Sequence, residues 1–393
     1  MEKLYWNNDW KFAETWEAAM KEAVYPENEM EDVRLPHTCK ELPYHYFDEH
    51  AYQMLCGYRR HFMAPEAWQG KSVELTFEGV AHDAVVYVNG TEVKAHHCGY
   101  TAFSVELAKY LKYGEDNVLA VRVDSRENLN IPPFGYAIDY MTFGGMYREV
   151  YVQVRNKTHL ADVFIKPQIH PLQVTTEITV QNISDGITLQ QEIRKKGEGA
   201  YRPLGKKPVK QTNMQTVFPV QEIRLWEPEN PHLYEIRTSL WKNGEMIDAR
   251  VDITGFREAG FRKDGFYLNG KKLRLRGLNR HQSYPYVGYA APSSMQIFDA
   301  DILKKELGVN AVRTSHYPQS QDFIRRCDEI GLLVFTEFPG WQHIGDEEWK
   351  RQAVQNLKEM IVQYRNHPSI ILWGVRINES QDDDVFYRET NRV

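Results

Sequence analysis

From residue 257 onward, strand-like apolar runs alternate with helical stripes, and they do so four times. The runs fall near 272–281, 310–316, 332–338 and 370–379, the last a run of β-branched and apolar residues that ends in Asn378-Glu379. Between them lie amphipathic segments. One spans about 294–307, with Phe298, Ile302 and Leu303 on one face and Gly308 as its stop. A second opens at Pro318, buries Phe323, Cys327 and Ile330 and stops at Gly331. A third is capped by Asp346, with Trp349, Ala353, Leu357, Ile361 and Tyr364 on one stripe. Repeated strand–helix units demand parallel strands with right-handed crossovers. Four such units make half of a (β/α)8 barrel, which takes about 250 residues when closed. The expectation for 257–393 is therefore the N-terminal half of a TIM-barrel domain, with a sheet edge and one barrel face left uncovered.

The preceding chain has a different rhythm. Residues 72–80, 84–88, 118–123 and 148–154 alternate with period two, and Asn89-Gly90 supplies a hairpin turn. Many short strands of this kind predict a jelly-roll β-sandwich over 1–156. Residues 176–180 and 235–240 alternate in the same way, with a second hairpin at Asn243-Gly244. About 100 residues of such strands predict an immunoglobulin-like sandwich over 157–256. The chain is thus read as multidomain. Its 9 Trp and 23 Tyr are assigned mainly to sheet cores. The basic run around Lys195, Lys196 and Lys206 to Lys210 reads as a solvated loop rather than a binding patch.

Several function classes fall away. A net charge of -6 gives no reason to expect a nucleic-acid partner. No stretch approaches 18 apolar residues, so no membrane span is expected. The N-terminus lacks a basic region followed by an apolar run, and the four scattered cysteines form no CxxC pair. Reduced thiols and a cytoplasmic location are the expectation.

In a barrel, the C-terminal strand ends converge on one face. That face would gather Asn279, Arg280 and His281 from the first strand and Arg313, Ser315, His316 and Tyr317 from the second. Glu337 would come from the third, Asn378 and Glu379 from the fourth. Singly, each is an ordinary structural residue; four successive strand ends carrying ionisable groups are not explained by packing. No nucleophilic Ser elbow, Walker loop, GxGxxG turn or HExxH helix is present. The nearest metal-like set is Glu337, His343 and Glu379, which has no recognised ligand spacing; no metal or other cofactor is expected. Asn, Arg, His and carboxylates instead suit a hydroxyl-rich ligand, and a Glu acid facing a second carboxylate is the pattern of glycoside hydrolysis.

The stretch Asn366-His367-Pro368-Ser369-Ile370-Ile371-Leu372-Trp373 followed by Asn378-Glu379 resembles the acid/base signature of glycoside hydrolase family 2. Gly277 to His281 and Val312 to Pro318 are similar to two further segments of that family. Phe77-Glu78-Gly79-Val80, Val88-Asn89-Gly90 and Phe143 to Val150 resemble its sugar-binding sandwich. Leu225-Trp226-Glu227-Pro228 with Asn230 to Tyr234 resembles its immunoglobulin-like domain.

The resemblance implies retaining hydrolysis of terminal β-galactosides. β-Glucuronidase is the nearest alternative, and a non-catalytic carbohydrate-binding or assembly protein is the reading from another class. It implies Glu379 as acid/base, with Asn378, His281, Arg313 and His316 near the sugar. It also implies Asp139 as an acid lent by the first sandwich and Glu337 as a supporting residue. Parallel neighbours lie about 4.8 Å apart, which places Glu337 within reach of a nucleophile's position. The family's own nucleophile lies on strand seven, which these residues do not reach. The expectation is an N-terminal portion, inactive alone, that pairs with another copy or a complementing chain. Trp341 stands where some relatives carry a metal-binding Glu. Arg376 is an unusual residue in its strand and is expected to bear on the acid's ionisation.

Overall fold

Alternating apolar residues put one face of each strand inward, so the first 155 residues close over a shared core. In the computed structural model, which describes residues 3–45, 48–135 and 138–393, two antiparallel sheets face one another. Met1 and Glu2, at the head of the N-terminal stretch read above, lie outside the described residues. One sheet orders Leu4–Tyr5, Val150–Arg155, Ser72–Phe77 and Phe103–Glu106. The other, of six strands, is centred on Leu55–Met63 and Asp116–Asp124. Trp10, Tyr58, Phe77, Val86 and Val121 fill the space between. Asn89 and Gly90 take φ of 50° and 83°, the left-handed pair that a tight hairpin needs. All four cysteines are free and buried.

The second sandwich pairs a sheet of three strands, His159–Ile169, Leu172–Gln181 and Asn213–Pro219, with one of four centred on Ile187–Lys195 and Tyr234–Lys242. Its core is aliphatic, built from Leu160, Val174, Ile178, Leu189 and Ile236. The basic run is not a loop throughout: Lys195 ends strand Ile187–Lys195, Lys206 and Lys207 lie in strand Arg202–Pro208, which pairs with it, and Lys196 reaches Glu329, in a helix of the last domain, at 2.5 Å.

The last domain holds a parallel sheet in the order β1 (Gly277–Arg280), β2 (Ala311–Thr314), β3 (Leu333–Glu337) and β4 (Ile370–Gly374). Helices α1 (Ser293–Asp301), α2 (Gln321–Ile330) and α3 (Glu347–Tyr364) make the crossovers, and α4 (Asp384–Thr390) follows. α3 carries its predicted stripe: Trp349, Ala353, Leu357 and Tyr364 are fully buried, and the Asp346 carboxylate accepts from the amides of Glu348 and Trp349. Strands β1 and β4 form the edges of this sheet, and Leu278 and Leu372 on them are 48% and 38% exposed.

Three expectations need correction. The first barrel strand is shorter than the apolar alternation suggested. Lys271–Leu273 pairs instead in a small antiparallel sheet with Gly265–Leu268, so one run of sequence serves two sheets. Phe298 is 59% exposed rather than core. α1 turns Gln296 and Ala300 inward because Arg280 bonds both Gln296 (2.9 Å) and Asp299 (2.8 Å), and these polar contacts set the helix rotation. α2 starts at Gln321, capped by Ser320, whose hydroxyl accepts from the Asp322 amide; Pro318 precedes it.

Named side chains join the domains. The Arg148 guanidinium of the first sandwich donates to the Gln282 side chain (3.2 Å) and the Pro318 carbonyl (2.9 Å) of the barrel. Tyr100 stacks on Tyr317 at 4.4 Å. Buried Trp226 donates from its indole to the Asp328 carbonyl at 2.8 Å. Asn366 clasps the second sandwich, accepting from the Ile165 amide (2.9 Å) and donating to the Val163 carbonyl (3.0 Å).

His82 is fully buried in the first sandwich and donates from Nε2 to the Thr142 carbonyl at 3.0 Å. Burial pushes its imidazole down to about 4 from 6.5. The unfolded chain therefore binds the extra proton between those values, and stability falls as pH drops from about 6.5 to about 4. Urea unfolding should show a lower midpoint at pH 5 than at pH 7. His82→Gln, which keeps a donor but does not titrate, should reduce that dependence. Trp226→Ala should cost about 3–5 kcal/mol in guanidinium unfolding, from the cavity and the lost bond together.

Candidate active site

The strand ends meet at a buried carboxylate. Glu337 closes β3, is 3% exposed, and lies opposite Gly374 of β4. Gly374 is what lets the strands approach there, because a Cβ would overlap that of Glu337. Arg313 of β2 binds the carboxylate through Nε at 3.0 Å and Nη2 at 2.8 Å. His316 Nδ1 bonds the other oxygen at 2.7 Å. A carboxylate buried this deeply is costly unless its charge is met, and the guanidinium meets it and fixes its plane. The same Arg313 Nη2 donates to Asn378 Oδ1 at 2.8 Å, so the residue beside Glu379 is tied into the network.

Glu379 is held differently. β4 ends at Gly374, and Asn378 and Glu379 stand in the following loop rather than on the strand itself. Glu379 is exposed, has φ of 55°, and its carboxylate accepts from Gln342 Nε2 at 3.0 Å. Glu337 is thus aligned with Gly374, five positions before Glu379, and both its oxygens are engaged. Glu337 and Glu379 would be strand neighbours only if β4 ran on to Glu379, and it ends at Gly374.

His281 follows β1. Its Nδ1 lies 3.1 Å from the Tyr317 hydroxyl, and its ring centre is 5.5 Å from that of His316. Burial first, then the neighbouring His316, hold its imidazole down at about 4; the charges of Asp139 and Glu337 oppose that. A neutral imidazole of this kind can donate and accept hydrogen bonds from hydroxyl groups. Asp139 itself is exposed and bears on His281 through charge.

Arg376 does not bear on the acid as expected. It pairs with Asp382 and lies 4.4 Å over the Tyr387 ring, on the α4 side of the loop. The set of Glu337, His343 and Glu379 is not assembled: the His343 ring packs edge-on against Trp349 at 5.7 Å. Among the described residues, no three His, Cys, Asp or Glu side chains cluster in a way that could hold a metal ion.

Two residues escaped the sequence reading. Tyr140, in the first sandwich beside Asp139, packs its ring against His281 (5.2 Å), His316 (5.7 Å), Tyr317 (5.4 Å) and Trp341 (6.3 Å). One aromatic side chain thereby touches residues that follow three different barrel strands. Gln342 follows Trp341 in the loop after β3, and nothing in its sequence neighbourhood marked it. For Tyr140, adjacency to Asp139 was the available signal.

Comparison with known proteins adds three matches in sequence order. The sugar binding domain of glycosyl hydrolases family 2 matches residues 11–155, a further family 2 domain matches 158–257, and the family 2 TIM barrel domain matches 260–390. A beta-galactosidase of Thermoanaerobacter pseudethanolicus is 48% identical over 381 residues, which is 94% of this chain and 51% of the relative. One from Thermoanaerobacterium thermosulfurigenes is 45% identical, covering 98% of this chain and 55% of the relative. A beta-glucuronidase of Bacteroides fragilis is 32% identical, covering 84% and 51%. Among solved structures, Bacteroides uniformis beta-glucuronidase 2 superposes with a TM-score of 0.88 at 29% identity, over 100% of this chain and 49% of that one. The chain spans about half the length of the curated relatives it matches. With both sandwiches and the parallel sheet accounted for by successive domains of one family, the chain belongs to glycosyl hydrolases family 2.

Proposed function

We propose that this chain carries the acid/base half of a retaining β-galactosidase site, with Glu379 as the acid/base. The observation that carries the reading is the locked pair at the fourth strand end. Asn378 is fixed by Arg313, and the adjoining Glu379 carboxylate is exposed on the catalytic side of the sheet. A general acid must meet the leaving oxygen from solvent-accessible space, while its neighbour orients the sugar 2-hydroxyl. His281, His316 and Asp139 are the groups we assign to the sugar hydroxyls.

A galactoside fits better than a glucuronide because the beta-galactosidase relatives are 48% and 45% identical, against 32% for the Bacteroides fragilis beta-glucuronidase.

Retention requires a second carboxylate about 5–5.5 Å from the acid. Glu337 is committed to Arg313 and His316, so we assign it support of those two groups, and the nucleophile to a residue outside 1–393. The 393-residue chain should then hydrolyse nitrophenyl β-galactoside weakly or not at all. Strong turnover that Glu379→Gln abolishes would overturn the assignment of the nucleophile. Equal turnover of galactoside and glucuronide by the full-length protein would overturn the substrate class. Binding of galactose with no hydrolysis by that protein would favour the carbohydrate-binding reading.

Glu337→Gln should leave Arg313 without its counter-charge. It should lower stability by about 3 kcal/mol in denaturant unfolding, and galactose affinity should fall with it in calorimetry.

A further inference from the structure

Gln342 and Glu379 face each other across the loops that follow β3 and β4, and both have φ of 55°. Residues other than Gly, Asn and Asp rarely occupy this left-handed region, and where they do the surroundings must hold them there. Here each is part of what holds the other. Trp341 and Asn378 form a parallel bridge, and the Gln342 amide donates to the Asn378 carbonyl at 2.9 Å. The Gln342 side chain then donates from Nε2 to Glu379 Oε2 at 3.0 Å. On the far flank, the Tyr387 hydroxyl accepts from the Ile377 amide at 3.3 Å and bonds the Ser380 hydroxyl, which in turn donates to the Ile377 carbonyl at 3.0 Å. The loop is thus clamped on both sides of Glu379. Among the described residues, Gln342 is the side chain that bonds its carboxylate.

We propose that Gln342 is the positioning residue of the acid/base carboxylate, holding Oε2 as an acceptor so that Oε1 carries the proton. This rests on Glu379 being the acid/base. An amide nitrogen only donates, so it pairs with an oxygen bearing a free lone pair and disfavours a proton on that oxygen. The bond therefore selects one oxygen for transfer and fixes its direction, which is where general-acid efficiency is won or lost. The loop conformation alone would leave the carboxylate free to rotate about its terminal torsion.

The test is leaving-group dependence in the full-length protein. Gln342→Asn suits the left-handed backbone but is one methylene too short to reach Oε2; Gln342→Met keeps the length and loses the donor. Both should lower kcat/KM for phenyl β-galactoside, which reports the bond-breaking step alone, by about 10- to 100-fold. Both should barely alter kcat/KM for 2,4-dinitrophenyl β-galactoside, whose leaving group departs without a proton. An equal loss on both substrates, or none on either, overturns the proposal. Glu379→Gln run alongside separates the two readings: if it lowers kcat/KM equally for both substrates, the acid/base reading itself fails. In a protein that turns over neither substrate, calorimetry with the galactose-configured iminosugar 1-deoxygalactonojirimycin serves, because its ammonium pairs with an oriented carboxylate. An approximately tenfold weaker affinity in both variants is expected, and an unchanged affinity overturns the proposal.

Discussion

The ion pair of Glu337 with Arg313 and His316 is the contact on which the rest of the site depends. A carboxylate at the buried end of a central strand is costly unless its charge is met, and meeting it draws in groups from β2 and the segment after it. Once Arg313 is planar against Glu337, its remaining donor fixes Asn378. Asn378 fixes the loop, through its bridge to Trp341. Glu379 can then be exposed without being loose. The order of dependence runs from the least accessible group to the most accessible one.

The first sandwich is part of this arrangement. Tyr140 covers His281 and His316, and the buried ring of Tyr100 supports Tyr317 from behind. Arg148 reaches across to the Pro318 carbonyl just ahead of α2. Desolvation of His281 therefore comes partly from another domain, and its neutral imidazole is a property of the assembled chain.

Much of the fold was legible because it rests on periodicity. The stripe of α3, the Asn-Gly hairpins and the four parallel strands follow from residue spacing alone. The departures share a cause: local polar contacts that spacing does not encode. Phe298 faces outward because Gln296 and Asp299 answer to Arg280. The long first run divides because Lys271–Leu273 pairs with a neighbouring hairpin rather than with β2. Arg376 turns to Asp382 and Tyr387, which lie beyond the strand that suggested its role. At the site, strand-end position and family resemblance named the residues that the structure gathers: Arg313, His316, Glu337 and Asn378. Gln342 stayed hidden because its contribution depends on a left-handed backbone that a lone Gln does not announce.

The Asn366-His367-Pro368 segment serves a different end from the acid it accompanies. Asn366 is bonded to the edge of strand His159–Ile169, His367 bonds the Asp328 carboxylate, and the Pro368 carbonyl accepts from Arg257 at 2.9 Å. The Asn366 bonds join the barrel to the second sandwich, the Arg257 bond holds the segment where the two domains meet, and the His367 bond ties it to α2, whose Asp328 carbonyl accepts from Trp226. As a diagnostic, the triplet reports inheritance of a shared chassis rather than possession of a working engine. A descendant that had given up hydrolysis would still need it to keep its domains in register.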